Sequence, residues 1–170
     1  MPTNWWMFFV SAAIPLLVGF FWYGNMGFGK KWMSVNGFSE EDLQGANMGL
    51  IFGLSYFFCV MISFVYSGMV IHQTSIFQVM MPEIQDSNSE VFSYAQDFFT
   101  KYGDRHRTFS HGAVHGVILA IFFVLPLISI NALFERRGWT YIFIHFGYWL
   151  VCLVLMGGLL CTTLTFSPLA

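Results

Sequence analysis

Charged side chains are scarce in this 170-residue chain and are missing from most of its length. All seven basic and nine acidic residues fall within residues 30–42, 83–107 and 135–137. The uncharged stretches that remain are residues 1–29, 43–82, 108–134 and 138–170. Each is long enough to cross a hydrocarbon core of about 30 Å, which takes roughly 20 helical residues. Because a charge at that depth is costly, the distribution predicts a protein with four membrane spans, and a composition that is 56% hydrophobic excludes a soluble core.

Familiar motifs of redox, metal-thiolate and hydrolytic chemistry are also missing. Cys59, Cys152 and Cys161 lie in apolar stretches without CxxC spacing, so we expect them to be packing residues. The HExxH, GxSxG and GxGxxG motifs and a complete P-loop are absent, which makes an enzyme the less favoured class. A net charge of −2 from dispersed residues argues against a nucleic-acid partner and leaves membrane lipids and other proteins.

The span boundaries are predicted from aromatic residues, caps and loop lengths. We place the spans at about residues 5–24, 43–72, 111–134 and 139–162. Trp5 and Trp22 lie where aromatic rings settle at the two membrane surfaces. Ser39 is the expected cap of a helix that leads into the second span. The connection at residues 135–138 is so short that spans three and four are predicted to form a tight antiparallel hairpin.

The central polar loop, residues 73–110, is expected to contain a helix of its own. Ser87 and Glu90 have capping-box spacing, and Gly103 is a plausible C-terminal cap. Apolar residues between them fall on one face, which is typical of an interfacial amphipathic helix. The predicted fold class is therefore all-α: a polytopic integral membrane protein with four transmembrane helices and an amphipathic interfacial helix, forming one domain over residues 1–170.

Small residues at four-residue spacing predict where helices approach one another closely. Span two contains Gly45, Gly49 and Gly53, and span three contains Gly112 and Gly116. Such rows are typical of close helix contacts in membranes. We expect spans two and three to pack through them, and we expect the chain to be a homo-oligomer or a subunit of a larger membrane complex.

Three histidines are the best candidates for chemistry. His72 ends span two, and His111 and His115 begin span three on one helical face, at a similar depth. Three imidazoles can bind one divalent metal ion, with Asp104, His106 or water completing the shell. Two other interpretations stay open: a haem held between His72 and one histidine of span three, or a hydrogen-bonded polar cap without any cofactor.

A second polar layer is predicted near the first and third loops. It consists of Asn47, Asn131, Glu135 and His145. A hydrogen bond between Asn47 and Asn131 and an ion pair from Glu135 to a nearby Arg would make this layer structural. Because no carboxylate or Lys is expected at the membrane midplane, an ion-coupled pump is disfavoured.

The basic residues of the loops predict the orientation. The first and third loops together hold Lys30, Lys31, Arg136 and Arg137, whereas the central loop holds three basic residues. Because short cytoplasmic loops carry more Lys and Arg, both termini and the central loop are expected in the periplasm. The N-terminus lacks the positive region of a secretory signal, so the first span is expected to remain in the mature chain.

Several local strings, taken in order, resemble a known family. They are residues 19–23 (GFFWY), 28–33 (FGKKWM), 47–49 (NMG), 131–137 (NALFERR), 147–149 (GYW) and 156–158 (MGG). Together they resemble the bacterial membrane-protein family called domain of unknown function 1761, and the long central loop with residues 109–116 (FSHGAVHG) resembles a branch common in Bacteroidota. The resemblance implies a multi-pass protein of the bacterial inner membrane and no established activity.

Three functions remain open at this point. A non-enzymatic structural or accessory membrane module is the leading interpretation. One alternative is a metal- or haem-binding membrane protein that uses His72, His111 and His115. The other is a small permeation protein for a neutral or amphipathic solute.

Overall fold

The structure, a computed structural model, describes residues 2–166. Its regular secondary structure is helical, and an isolated bridge joins Pro2 to Phe166. The α-helices are α1 (Met7–Trp22), α2 (Gly29–Asn36), α3 (Met48–Val70), α4 (His72–Val79), α5 (Glu90–Tyr102), α6 (Phe109–Leu119), α7 (Leu125–Phe134) and α8 (Trp139–Thr163). A 3₁₀ turn at Glu83–Gln85 and a π-helical segment at Ala120–Val124 complete the set. The predicted all-α class is confirmed.

Three helices are long and apolar enough to cross a membrane. They are α3, the continuous helix Phe109–Phe134 and α8. The fourth apolar helix, α1, is shorter, with 16 residues and Pro15 inside it. The chain is therefore a helical membrane protein, as predicted.

The helix α8 lies at the centre of the bundle, and α1, α3 and α6 pack against it. Its buried side chains include Cys152, Met156 and Leu160. The indole of Trp22 at the end of α1 donates to the Ile144 carbonyl, at 3.0 Å. At the other end, the Asn4 amide donates to the Thr163 carbonyl, at 2.7 Å. The helices α1 and α8 are therefore antiparallel, and the end of α8 lies beside the start of α1.

Close packing of α6 on α8 depends on two glycines of α6. A Cβ on Gly116 would lie 2.6 Å from the backbone of Leu153, and one on Gly112 would collide with the backbone of Gly157. Only hydrogen atoms fit at these two positions, so the helices approach to backbone contact. The span that begins with α6 ends at Phe134, and a short connection leads from there to the start of α8 at Trp139, so the two spans form a hairpin.

The polar segment before α3 does not continue into the helix, contrary to our prediction. The Asp42 carboxylate accepts hydrogen bonds from both the Oγ and the backbone N–H of Ser39, which holds the pKa of Asp42 below its usual range. This local turn ends at Gly45, whose backbone is left-handed, with φ +82°. The helix α3 starts at Met48 because Asn47 caps it, accepting from the Leu50 N–H at 3.1 Å.

The glycines of span two do not pack against span three within this chain. Gly45 lies outside the helix, a Cβ on Gly53 would meet nothing within 4 Å, and one on Gly49 would meet only the Asn47 side chain. The buried residues of α3 are instead Cys59, Ser63, Tyr66, Ser67 and Val70, in its second half. Gly49 and Gly53 thus lie on the outer face of the bundle.

The central loop contains the expected amphipathic helix, α5, but with a different cap. Ser89 caps it, accepting from the Phe92 N–H at 2.9 Å, rather than Ser87. Ser89 serves because its Oγ also donates to the Glu83 carbonyl, which ties the helix start to the preceding 3₁₀ turn. The Gln73 amide donates to the carbonyls of Tyr102 and Arg105, so α4 is joined to the end of α5.

Pro126 explains the π-helical segment in the third span. Proline has no N–H to donate, and its ring crowds the carbonyl of the residue four positions earlier. The chain widens at Ala120–Val124, which includes the residue four positions before Pro126, and returns to α-helix at Leu125. The span continues through the proline as one apolar helix.

Candidate metal centre

The structure brings the imidazoles of His72, His111 and His115 together. The Nε2 atom of His72 lies 3.1 Å from that of His111 and 3.2 Å from that of His115. The remaining pair, His111 and His115, is 3.2 Å apart. The three atoms form a nearly equilateral triangle, and they are one potential metal-binding group among the described residues.

A break between two helices places His72. Ile71 is completely buried and has an extended backbone, with φ −114° and ψ 93°, between the end of α3 and the start of α4. His72 is the first residue of α4 and therefore leaves the direction of span two. The change of chain direction at Ile71 turns the His72 imidazole toward α6.

The other two histidines are positioned by the start of α6. Thr108 caps this helix, and its hydroxyl accepts from the His111 N–H at 3.3 Å. Gly112 and Gly116 each follow a histidine directly, so the face that contacts α8 lies about 100° around the helix from the imidazoles. The glycine contact therefore leaves the histidine face free to meet α4.

Hydrogen bonding alone does not satisfy this triangle. The Nε2 atom of a neutral imidazole either carries a hydrogen and donates, or has a lone pair and accepts. Three atoms in mutual contact cannot alternate donors with acceptors, so at least one of the three contacts joins two donors or two acceptors. A cation removes this conflict, because all three nitrogens then direct lone pairs at the ion.

The dimensions of the triangle match a small tetrahedral ion. Zinc binds imidazole nitrogen at about 2.0–2.1 Å, which places tetrahedral ligands roughly 3.3–3.4 Å from one another. The observed separations of 3.1 to 3.2 Å are close to this spacing. His72 is exposed and the other two histidines are half-buried, so a fourth ligand can approach from water.

The same dimensions do not suit a haem. Its two axial nitrogens lie on opposite sides of the iron, roughly 4 Å apart, with the porphyrin between them. His72 is 3.1 Å from the Nε2 of His111, and the third imidazole occupies the space that a porphyrin would need.

His106 supports the triangle instead of joining it. Its ring stacks on that of His111, with centroids 5.0 Å apart and an interplanar angle of 21°. Its backbone is left-handed, with φ 64°, and its carbonyl accepts from the Cys161 thiol at 3.3 Å. Asp104, the other predicted contributor, is not part of the group of ligand atoms found among residues 2–166.

Arg107 is a positioning residue that the sequence did not reveal. Its Nε donates to the Cys161 carbonyl at 2.7 Å, and its Nη2 donates to the Leu164 carbonyl. These carbonyls end α8 and have no partner within the helix, so the guanidinium caps α8 and attaches the loop before α6 to it. Burial lowers the pKa of Arg107. Only the pairing of two distant segments shows this role, and one sequence contains no signal of it.

The second polar layer is more scattered than predicted. The Asn47 side chain caps α3, whereas Asn131 is exposed, so the expected hydrogen bond between them is not formed. Glu135 lies 3.7 Å from the Arg137 guanidinium, in an exposed pair. The Nδ1 atom of His145 forms a hydrogen bond with the Tyr23 hydroxyl, at 2.9 Å.

Comparison with known protein families identifies the family of this chain. A family model described as "Protein of unknown function (DUF1761)" matches residues 6–161. No curated protein and no solved structure matches the chain.

Proposed function

The chain belongs to the DUF1761 family of proteins of unknown function, and we propose that this member binds a divalent transition-metal ion through His72, His111 and His115. The observation that carries the proposal is the Nε2 triangle, with sides of 3.1 to 3.2 Å. The three side chains come from two separate helices, α4 and α6. Their convergence on one point is the arrangement that a metal ion requires.

The ligand types favour zinc or another late first-row metal. Imidazole suits zinc, copper, iron and nickel, whereas magnesium and calcium prefer oxygen ligands. The triangle contains no carboxylate, and its dimensions agree with a tetrahedral ion. Structural zinc sites usually have four protein ligands, while sites with three keep a position for water or a solute. A site with three histidines therefore favours a metal centre that binds a further ligand, and it disfavours a purely structural metal site.

The other two functions make different statements about this site. A structural or accessory module would use the histidines as a polar cap and would retain no metal. A permeation protein would need a polar path through the middle of the bundle, where Tyr66, Leu153 and Met156 are instead buried in an apolar core. The triangle supports neither alternative.

We place this centre at the periplasmic end of a protein of the bacterial inner membrane. The three histidines lie at the end of the bundle that also holds the central loop and the last turn of α8, where the Arg107 guanidinium contacts Cys161. Loops one and three, at the other end, carry four of the seven basic residues, which favours the cytoplasm for that end.

Metal analysis of the purified protein tests the proposal. The chain is purified without a His tag or chelator, equilibrated with zinc, and freed of loosely held ions before elemental analysis. We expect one zinc per chain, and we expect its loss in His111→Ala and His115→Ala. His145→Ala is the matched control, since His145 lies at the other end of α8 and contacts Tyr23. Wild-type protein without bound metal, or equal loss in the control, would refute the proposal and favour the polar cap.

A further inference from the structure

A cavity at the opposite end of the bundle from the histidines has the features of a lipid site. Its volume is about 410 Å³, and it is lined by Trp22, Phe28, Lys31, Thr140, Phe143 and Gly147, together with Ile144. It lies where the end of α1 and the start of α2 meet the first turns of α8. It shares no residue with the metal centre.

The walls of this groove are held by specific contacts. The Trp22 indole donates to the Ile144 carbonyl at 3.0 Å and packs on Phe28, with ring centroids 4.8 Å apart. The edge of the indole covers Gly147, where a Cβ would lie 2.8 Å from Trp22 Cζ2. The absent side chain at Gly147 thus gives the ring its place, and the groove beside it is formed by the fold itself.

The groove is apolar along its length and has one charged residue in its lining. Lys31 is exposed, and the other lining residues are aromatic, aliphatic or small apart from the hydroxyl of Thr140. A long Lys side chain can lie along an apolar surface while its ammonium group stays at the level of water and headgroups. The charge and the apolar surface together call for a ligand with an anionic end and a hydrocarbon body.

The position of the groove relative to the membrane agrees with such a ligand. Trp139 begins α8, and tryptophan settles at the membrane surface. From Thr140 to Gly147 the helix rises about 10 Å, which leads from the headgroup region into the hydrocarbon. An acyl chain that lies along this face would bring its phosphate to the height of Lys31.

We infer that the groove binds one anionic phospholipid, with an acyl chain along α8 and the phosphate beside Lys31. The inference does not depend on the metal centre. It agrees with the orientation proposed above, because anionic lipids attract basic residues at the cytoplasmic surface.

Native mass spectrometry of the full chain in detergent tests the inference. The protein is offered phosphatidylglycerol and phosphatidylethanolamine with identical acyl chains, and the Kd of each is measured. We expect Lys31→Gln to weaken phosphatidylglycerol binding about five-fold, the ratio for roughly 1 kcal/mol per basic residue at an anionic surface, and to leave phosphatidylethanolamine unchanged. Lys30→Gln is the matched control, since it removes the same charge from the adjacent position, outside the groove.

A second variant tests the apolar part of the site. Thr140→Trp places a large ring in the groove and is expected to weaken both lipids alike. Thermal melting of each variant verifies that the bundle is folded. If Lys31→Gln and Lys30→Gln bind phosphatidylglycerol equally, or if Thr140→Trp retains both lipids, the protein has only a general lipid shell and the inference is wrong.

Discussion

Gly112 of α6 and Gly157 of α8 meet backbone to backbone, and a methyl group on either one would collide with the carbonyl oxygen of the other. This contact, repeated one turn later by Gly116 on Leu153, sets the separation of the two helices. The same turns of α6 carry His111 and His115. Helix packing and imidazole placement therefore depend on the same two turns of one helix.

Gly116→Ala should destabilise the protein by about 1–3 kcal/mol, because the new methyl group forces α6 away from Leu153. Gly68→Ala is the control, since a Cβ there meets nothing within 4 Å. Thermal melting in detergent measures both. Equal melting temperatures for the two variants would show that the close approach of α6 and α8 is not required.

Zinc should stabilise the folded protein. A ligand present at 100 times its Kd adds about 2.7 kcal/mol to the free energy of unfolding, so the melting temperature should rise with zinc and fall with a chelator. His72→Ala should abolish the response, and His145→Ala should retain it. A zinc response that survives in His72→Ala would place the ion elsewhere.

Arg107→Gln should cost about 2–3 kcal/mol, because it removes a charged donor from the carbonyls at the end of α8. Arg105→Gln is a suitable comparison, since Arg105 is exposed and its guanidinium lies over the Tyr102 ring. Its effect is expected to stay within about 0.5 kcal/mol. Chemical denaturation of the two variants decides the matter, and similar midpoints would contradict the capping role of Arg107.

A cysteine introduced at Ser89 should react with an impermeant maleimide in intact spheroplasts, if the central loop is periplasmic. The native cysteines are buried and should add little background. A cysteine at Ser39, in the first loop, should react only after lysis. The opposite pattern would reverse the orientation and place the metal centre in the cytoplasm.

We predict a homo-oligomer that packs through the outer face of α3, so Gly49→Leu should change the mass of the assembly and leave the fold of the single chain intact. Size-exclusion chromatography with light scattering measures the mass of the protein without its detergent. Gly68→Leu tests whether any bulky residue on α3 has the same effect. An unchanged mass for Gly49→Leu would mean that these glycines do not contact a second copy.

Much of the fold was predictable because bilayer depth excludes charge. The distribution of the charged residues was enough to predict the all-α membrane fold, and the four-residue spacing of His111 and His115 placed both on one face. The partner of a glycine row was not predictable in this way. A row such as Gly112 and Gly116 predicts that another helix can approach that face closely. It does not predict which helix, because α3 and α8 both contain small residues. The contact of Gly112 with Gly157 depends on the packing of the whole bundle.

Local signals were also ambiguous where two of them competed. Ser39 and Asp42 bond to each other as a helix cap would, yet the chain leaves the helical path at Gly45 and starts again at Asn47. The approach of His72 to α6 depends on the extended backbone of Ile71, a buried apolar residue. No sequence pattern predicts this extended conformation. The candidate site was thus predictable in its members but not in its geometry.

The π-helical segment changes the direction in which the second half of the third span points its side chains. The buried residues of this span are Gly112, Gly116, Ala120 and Ala132. In an unbroken α-helix, Ala132 would point about 120° away from Ala120, toward a different neighbour. The extra residue that the wide turn accommodates reduces this difference to about 20°, so Ala132 is buried on the same side of the helix as Ala120. The length of the segment Ala120–Val124 is therefore under constraint, since deleting one residue there would rotate α7 and turn Ala132 away from that side of the helix.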